Sequence, residues 1–342
     1  MSRLRVGIET QFGVGAATGL GVFATGLVDA LRRRDEVEAV ELRDPSFDLW
    51  RFTRRVYWDQ VRAPALAKAA ACDVLHFTGG TLPLRVPHPV VLSVHDLHWR
   101  RRRVRARPYI RWYFGSLQGR LARRADRIAA DTHCARAEII ESLNLDPLRV
   151  VVTGVGVDAA FFRLERRPSD RPFVLSVGTV EERKDLSTAV RAIARVPDVS
   201  LVSVGPLTHY ADDVRRLAVE LGIQHRVKLC GYVGEETLHD LYASASALVF
   251  PSRYEGFGLP PLQALAAGLP VVAARIPVSE EVLGECAFLA PSGDAAEFAR
   301  SIDSALREGP ASQRAAAGRV RAARYSWDRV AEETTALYKV FR

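Results

Sequence analysis

Short β-branched runs alternate with longer amphipathic stretches along the whole chain, and that rhythm constrains the fold more than any other feature. It is the pattern of βαβ units wound around a parallel sheet. In the first half the strand candidates are Leu4–Ile8, Val74–Phe77, Val90–Val94, Arg127–Ala130 and Val150–Thr153. The second half offers Phe173–Val177, Leu201–Val204, Val227–Leu229, Ala247–Phe250, Val271–Ala274 and Ala287–Leu289. Helical periodicity fills the gaps, as in Phe23–Arg33, Leu186–Arg195, Val214–Leu221, Thr237–Ser244 and Ala295–Arg307. Both halves open with a strand, a Gly-containing turn and a helix. The polar, Pro-containing stretch Glu165 to Pro172 lies between them and reads as the linker. The expectation is an α/β protein with a first domain over 1–167 and a second over 168–326. A last helix, 327–342, can pack back on the first domain. Two doubly wound, Rossmann-like domains facing across a cleft would place ligands at the carboxyl ends of the strands.

With 342 residues the chain exceeds one ordinary core and suits two such domains. Its long apolar run, Ala264 to Ala274, is broken by Gly268 and Pro270, too short to cross a bilayer. The start, Met1 to Glu9, lacks the apolar stretch and cleavage site of a signal peptide. A cytoplasmic location is therefore expected. The cysteines, Cys72, Cys134, Cys230 and Cys286, are scattered and read as buried reduced thiols, with no metal site. The net charge of +8 is uneven: Arg100 to Arg127 holds eleven arginines and one acid, a local +10, so the remainder nets 8 − 10 = −2. Trp99, Tyr109, Trp112, Tyr113 and Phe114 interleave with those arginines. Aromatics among arginines suit an anionic membrane surface, so peripheral contact through Trp99–Arg127 is expected. A solvated helix face is the plainer alternative. Nucleic acid is a weaker candidate, because no recognised nucleic-acid fold accompanies the segment.

The most informative stretch runs Phe250-Pro-Ser-Arg-Tyr-Glu-Gly-Phe-Gly-Leu-Pro-Pro-Leu-Gln. A buried strand should end at Phe250, and a helix should begin near Pro260 or Pro261, where proline suits the first turn. The N–H groups around Phe257 to Leu259, at the positive end of the helix dipole, would suit a diphosphate. Glu255 stands just before, where a carboxylate could accept bonds from sugar hydroxyls. A tight strand-to-helix turn with a surface glutamate is the structural alternative.

This constellation resembles the family 4 glycosyltransferases, retaining enzymes of the GT-B fold. Their signature is a glutamate, a Gly-Phe-Gly loop and a second glutamate eight residues after the first. Glu255-Gly256-Phe257-Gly258-Leu259 matches the first part. Gln263 stands at the second position, where the family carboxylate grips the nucleotide ribose. An amide there accepts one bond and donates another, without charge assistance. Ser176-Val-Gly178-Thr-Val-Glu-Glu-Arg183-Lys184 looks like the family's Gly-x-x-x-x-Arg-Lys stretch, whose cations face the donor pyrophosphate. Fixed cations would stabilise a leaving nucleoside diphosphate without a metal. The resemblance also implies base contacts around Tyr232 and Val233, although core packing would explain those residues equally well.

In the first half His95-Asp96 follows the buried run Val90 to Val94, and the resemblance puts such a histidine near the donor sugar. A structural histidine tied down by Asp96 is the alternative. Thr18-Gly19-Leu-Gly21 resembles the family's N-terminal Gly-rich loop beside the donor phosphates. It is not the full Gly-x-Gly-x-x-Gly dinucleotide fingerprint, since Ala24 takes the third position, and no acidic residue clearly closes a second strand. The resemblance thus implies sugar transfer from a nucleotide-sugar donor to an acceptor hydroxyl, with retention and with no cofactor. Catalytic roles fall to His95, Arg183, Lys184 and Glu255. Donor contacts fall to Gly19, Gly21, Gly178, Tyr232, Val233, Gly256, Phe257, Gly258, Leu259 and Gln263. A GT-B-like sugar-nucleotide epimerase and a non-catalytic nucleotide-binding homologue are the alternatives. Stretch 43–72 matches nothing in the resemblance.

Overall fold

A computed structural model describes residues 3–15, 18–49, 51–85, 89–98 and 107–342. Two compact units emerge: Met1–Gly156 with Tyr325–Arg342, and Val157–Arg324. Each holds a six-stranded sheet in which every pairing is parallel. This is the architecture of the GT-B glycosyltransferases.

The first sheet contains β1 (Leu4–Glu9), β2 (Val37–Leu42), β3 (Val74–Phe77), β4 (Val90–Val94), β5 (Arg127–Ala130) and β6 (Val150–Val152), in the order β2-β1-β3-β4-β5-β6. The second contains β7 (Phe173–Val177), β8 (Ser200–Val204), β9 (Val227–Leu229), β10 (Ala247–Phe250), β11 (Val271–Arg275) and β12 (Phe288–Pro291), in the order β12-β11-β10-β7-β8-β9. Strands β3, β4 and β10 are buried on both faces, which explains why they read as continuous apolar runs. Strand β2 has no counterpart among the sequence candidates. It is an edge strand carrying Glu38 and Glu41, so its pattern is too polar to announce itself. Glu41 supplies an acid near the end of a second strand, but its carboxylate is taken by Thr10 and Arg32.

The order of each sheet reverses once. From β1 the chain steps to β2 on one side and then to β3 on the other. From β7 it steps outward through β8 and β9 and returns to β10. The crevices beside β1/β3 and β7/β10 are therefore the topological switch points, where open α/β sheets place ligands.

The linker expected over 165–172 begins earlier. Residues 157–167 belong with the second unit, because Phe161 packs on His239 and Tyr242 while the Arg166 guanidinium donates to the carbonyls of Tyr242 and Ala245. The last helix, Trp327–Lys339, belongs to the first unit. Its Trp327 lies so close to Gly26 and Gly156 that a Cβ on either would meet the indole at 2.4 Å. Tyr338, fully buried, places its hydroxyl 2.6 Å from Nδ1 of His76 on β3.

Between β2 and β3, and again before β5, helices widen into π turns at Trp58–Arg62 and Trp112–Leu117. Such turns shift side chains out of the regular helical register and are frequent at functional sites. The cysteines, expected to be buried, are half-buried and form no disulfide.

Candidate functional site

In the second unit most of the sequence-nominated residues gather at one end of the sheet. Gly178 follows β7 directly and is tied to β8 by its N–H, which donates to Val204 O at 2.9 Å. Gly205 approaches so closely that a Cβ there would stand 2.2 Å from Gly178 O. The short turn Glu182–Lys184 then presents Arg183 and Lys184. It ends on Asp185, whose left-handed backbone (φ 47°) turns the chain into the helix Leu186–Ile193. Asp185 is held by the Thr188 hydroxyl at 2.8 Å and by Arg253 Nε at 2.8 Å. The turn after β7 is thereby locked to the loop after β10.

Glu255 sits on that second loop, and its carboxylate is gripped from both sides. Arg183 Nη1 donates to Oε2 at 2.9 Å and Lys184 Nζ to Oε1 at 2.6 Å. Arg183 also donates to Tyr254 O at 2.9 Å and to Glu181 at 2.8 Å. The Glu255 side chain is only 9% exposed. Burial pushes its carboxyl up, but the charges of Lys184 and Arg183 outweigh that and hold it below the ordinary range. Lys184 further lies over the Phe250 ring at 5.1 Å. A pocket beside this cluster is lined by Gly178, Thr179, Lys184, Phe250, Pro251 and Ser252.

Gly258, at φ 91°, caps the helix Leu259–Ala266, a conformation that suits glycine. Pro260 and Pro261 carry no N–H, so the first turn offers the N–H groups of Gly258 and Leu259 rather than a longer run. Gly256 and Phe257 are buried beneath that turn. Gln263 stands one turn along the helix, 9% exposed, and its Oε1 accepts from the Tyr242 hydroxyl at 3.1 Å. Tyr242 is fully buried, and its hydroxyl also lies 3.2 Å from Pro260 O, so its one proton is shared between the two carbonyl oxygens. Tyr232 and Val233 lie in the loop after β9, and Tyr232 is half exposed, so core packing does not account for it.

The first unit's nominated residues are placed differently. Gly19 and Gly21 lie inside the first turn of the helix Gly19–Leu31, capped by Thr18, rather than in a loop before Phe23. Gly21 is there for packing, since a Cβ would stand 2.4 Å from Phe12 O; at Gly19 the space is open. His95 follows β4, as expected, but its partner is Asp131 and not Asp96. Asp96 instead accepts the His98 N–H at 2.9 Å.

Sequence reasoning missed three groups that matter. Asp131 immediately follows the buried strand β5, a position that could have nominated it. Tyr242 gave no signal beyond helical periodicity. Arg55 and Asp59, from the unmatched stretch 43–72, form a buried ion pair at 2.9 Å. Of the arginine-rich segment, Trp99 and residues 100–106 lie outside the described residues. Tyr109 and Trp112 are exposed, as are Arg107, Arg111, Arg120, Arg123 and Arg124. Tyr113 is not available to a surface: it is 4% exposed and donates its hydroxyl to Asp59 at 2.8 Å.

Two family models match the chain: one described as Glycosyltransferase Family 4 over residues 18–161, and one described as Glycosyl transferases group 1 over 158–320. The MMP alpha-(1->4)-mannosyltransferase of Mycolicibacterium hassiacum is 32% identical over 78% of this chain and 70% of its own length. Other curated relatives are matched over 58% or 47% of their length. Among solved structures, sucrose-phosphate synthase from Thermosynechococcus elongatus superposes with a TM-score of 0.77 at 20% identity, over 99% of both chains. HepE of Anabaena, solved with UDP and glucose, gives 0.76 at 17% identity over 99% of this chain and 100% of its own.

Proposed function

Because the chain belongs to family 4 of the glycosyltransferases, we propose that it moves a hexosyl group from a nucleoside-diphosphate hexose to an acceptor hydroxyl, with retention and without a metal. The observation that carries this reading is the Glu255 carboxylate held between Arg183 and Lys184 at the β7/β10 switch point. Two cations on one turn and a carboxylate on the loop locked to it are what a sugar diphosphate requires. The cations answer the diphosphate and the carboxylate answers the sugar hydroxyls. Before a donor arrives, Glu255 keeps both cations in place and neutralised. A diphosphate competes for them, and the freed carboxylate oxygens can accept from the hexose.

In the transfer itself the bond from the anomeric carbon to the diphosphate oxygen breaks and a bond to the acceptor oxygen forms. On the retaining path the acceptor's proton passes to the departing phosphate oxygen on the same face. Arg183, Lys184 and the N–H groups of Gly258 and Leu259 stabilise the charge gathering there. Gln263 and Tyr232 would meet the ribose and base. The names of the relatives favour a mannosyl or glucosyl donor. A uridine or guanosine diphosphate is the natural first pair to try.

The proposed setting is the cytoplasmic face of a membrane, in the synthesis of an envelope glycan or glycolipid. Exposed Tyr109 and Trp112 beside Arg107 and Arg111 support contact with anionic lipid. No helix among the described residues is long and apolar enough to cross a bilayer. Sedimentation with anionic vesicles at low salt tests that contact, and the Trp112→Ala variant should then stay in the supernatant. For the reaction, the test is product analysis by proton NMR after incubation with a panel of nucleotide hexoses and hydroxyl acceptors, in the presence of a chelator. Release of nucleoside diphosphate with an anomeric linkage matching the donor's is expected. A changed sugar still attached to its nucleotide, or an inverted linkage, would overturn the reading.

A further inference from the structure

His95 stands just past the end of β4, and both of its ring nitrogens face oxygen. Nδ1 lies 2.9 and 3.0 Å from the two carboxylate oxygens of Asp131, the residue after β5. Nε2 lies 2.9 Å from the carbonyl oxygen of Thr78, the residue after β3. A carbonyl oxygen can only accept, so Nε2 must carry a proton. An ionised carboxylate can only accept as well, so Nδ1 must carry the other. A neutral imidazole has a single N–H, and satisfying both contacts takes the imidazolium. Moving the Nδ1 proton onto Asp131 would leave the pair's proton count unchanged. The side chains are 15% and 5% exposed, so water is a poor substitute for either partner.

The surroundings favour that charge state from every side that bears charge. Asp96, on the same loop, adds a second negative field. His76 on β3 is the other titratable neighbour, and it is kept neutral. Burial, and then the proximity of His95, pushes its pKa down to about 3. Its Nδ1 meets the Tyr338 hydroxyl at 2.6 Å and its Nε2 the Ser93 hydroxyl at 2.8 Å, partners that can donate or accept. From the helix Gly19–Leu31, Phe23 meets the His95 ring edge-on at 4.6 Å between centroids and brings no charge. Burial pulls the His95 pKa down, but Asp131 and the Thr78 carbonyl together raise it above the ordinary histidine value.

We propose that Asp131 is a positioning residue that holds His95 as a doubly protonated imidazolium, ion-paired to its carboxylate and with both ring N–H groups committed. His95 then has no lone pair with which to take the acceptor's proton, and its service to the reaction is electrostatic. Raising the pH removes one proton, one of the two contacts must break, and the turn from His95 to His98 loses its anchor. Turnover should therefore fall on the alkaline side as this proton is lost.

The first arm needs no substrate and so does not depend on the transfer reading. Nitrogen-15 NMR of the imidazole nitrogens in the unaltered protein at pH 6.5, where a free imidazole is about half neutral, should show both His95 nitrogens predominantly protonated. A single unprotonated ring nitrogen at that pH would overturn the proposal. The second arm compares the pH dependence of kcat in the unaltered enzyme and in Asp131→Asn, whose amide keeps an acceptor but loses the charge. The alkaline limb should move to lower pH by about 1–3 units, with the donor KM little changed. Superimposable profiles would overturn the proposal as well. Should Asp131→Asn fail to fold, the NMR arm decides alone.

Discussion

At the switch point of the second sheet, Glu255 is held by two charged side chains, for which the proposed donor diphosphate would compete. At the switch point of the first, Glu9 is held by groups that nothing can draw away. Trp58 Nε1 donates to its Oε1 at 2.6 Å and the Gly79 N–H to its Oε2 at 3.0 Å. Glu9 is 1% exposed, and burial pushes its carboxyl up despite the nearby Arg55. Arg55 is spent on Asp59, the Thr81 hydroxyl and Gly79 O, with its guanidinium 4.4 Å from the centre of the Phe12 ring. Asp59 also accepts from Thr81 at 2.9 Å, and Tyr113 bonds Gln60 at 3.1 Å. One carboxylate is held by charged side chains that the proposed donor would engage; the other is held by an indole and a backbone N–H. The same topological position thus carries an acid with quite different partners in the two units, which suits the proposed donor site in one and a structural role in the other.

The largest effect that would test this contrast is on stability. Asp59→Ala leaves Arg55 buried without its partner, which should cost about 3–5 kcal/mol in a denaturant melt. Nucleotide affinity of the folded fraction should not change. If Asp59→Ala abolished nucleotide binding in folded protein, the first switch point would not be mere scaffolding.

Next comes Lys184→Ala, expected to lower turnover by about 10²–10³-fold in steady-state assays, as for loss of one group stabilising transition-state charge. Some stability should go with the Lys184–Glu255 pair, but far less in proportion than turnover, since Arg183 still holds the carboxylate. An equal loss of stability and activity would make the cluster structural and erase the contrast. A smaller effect is expected from Tyr242→Phe, which strips Gln263 Oε1 of its donor. Loss of that bond should cost about 1 kcal/mol of stability and weaken nucleotide binding rather than turnover. Unchanged nucleotide affinity would detach Gln263 from the donor.

The pH dependence of stability separates the two units. His76 is neutral in the fold down to about pH 3, whereas the unfolded chain takes up its proton below about 6.5. Stability of the first unit should fall as pH falls across that window. His95 has the opposite sign: its raised pKa contributes stability present below 6.5 and lost as pH rises through the folded value. Glu255, held low, contributes stability present above about 4.5 and lost as pH falls through its lowered pKa. Calorimetry from pH 4 to 9 should show the first unit weakening toward both ends. A stability flat across that range would contradict these assignments.

The second unit was the more legible because its chemistry is local in sequence. Arg183 and Lys184 are adjacent, and Glu255 shares one loop with Gly256 and Gly258, so two short stretches carry the whole resemblance to the family. The first unit's polar groups come from four separated stretches around Glu9, Arg55, Gly79 and Tyr113. No spacing rule connects them. The π turns at Trp58–Arg62 and Trp112–Leu117 hid Asp59 and Tyr113 further, since they break the helical period by which such residues would be read. Asp131 was overlooked for another reason. A histidine followed by an aspartate invites pairing with its neighbour, whereas parallel β4 and β5 bring the acid in from the next strand.

The most direct test of the central claim is calorimetric titration of uridine and guanosine diphosphates into the unaltered protein and into Lys184→Ala, with chelator present throughout. Selective binding of one nucleotide by the unaltered protein, weakened at least tenfold in the folded variant, is the expected result. Equal binding by both proteins, or none without a divalent metal, would contradict a donor site built on Arg183, Lys184 and Glu255.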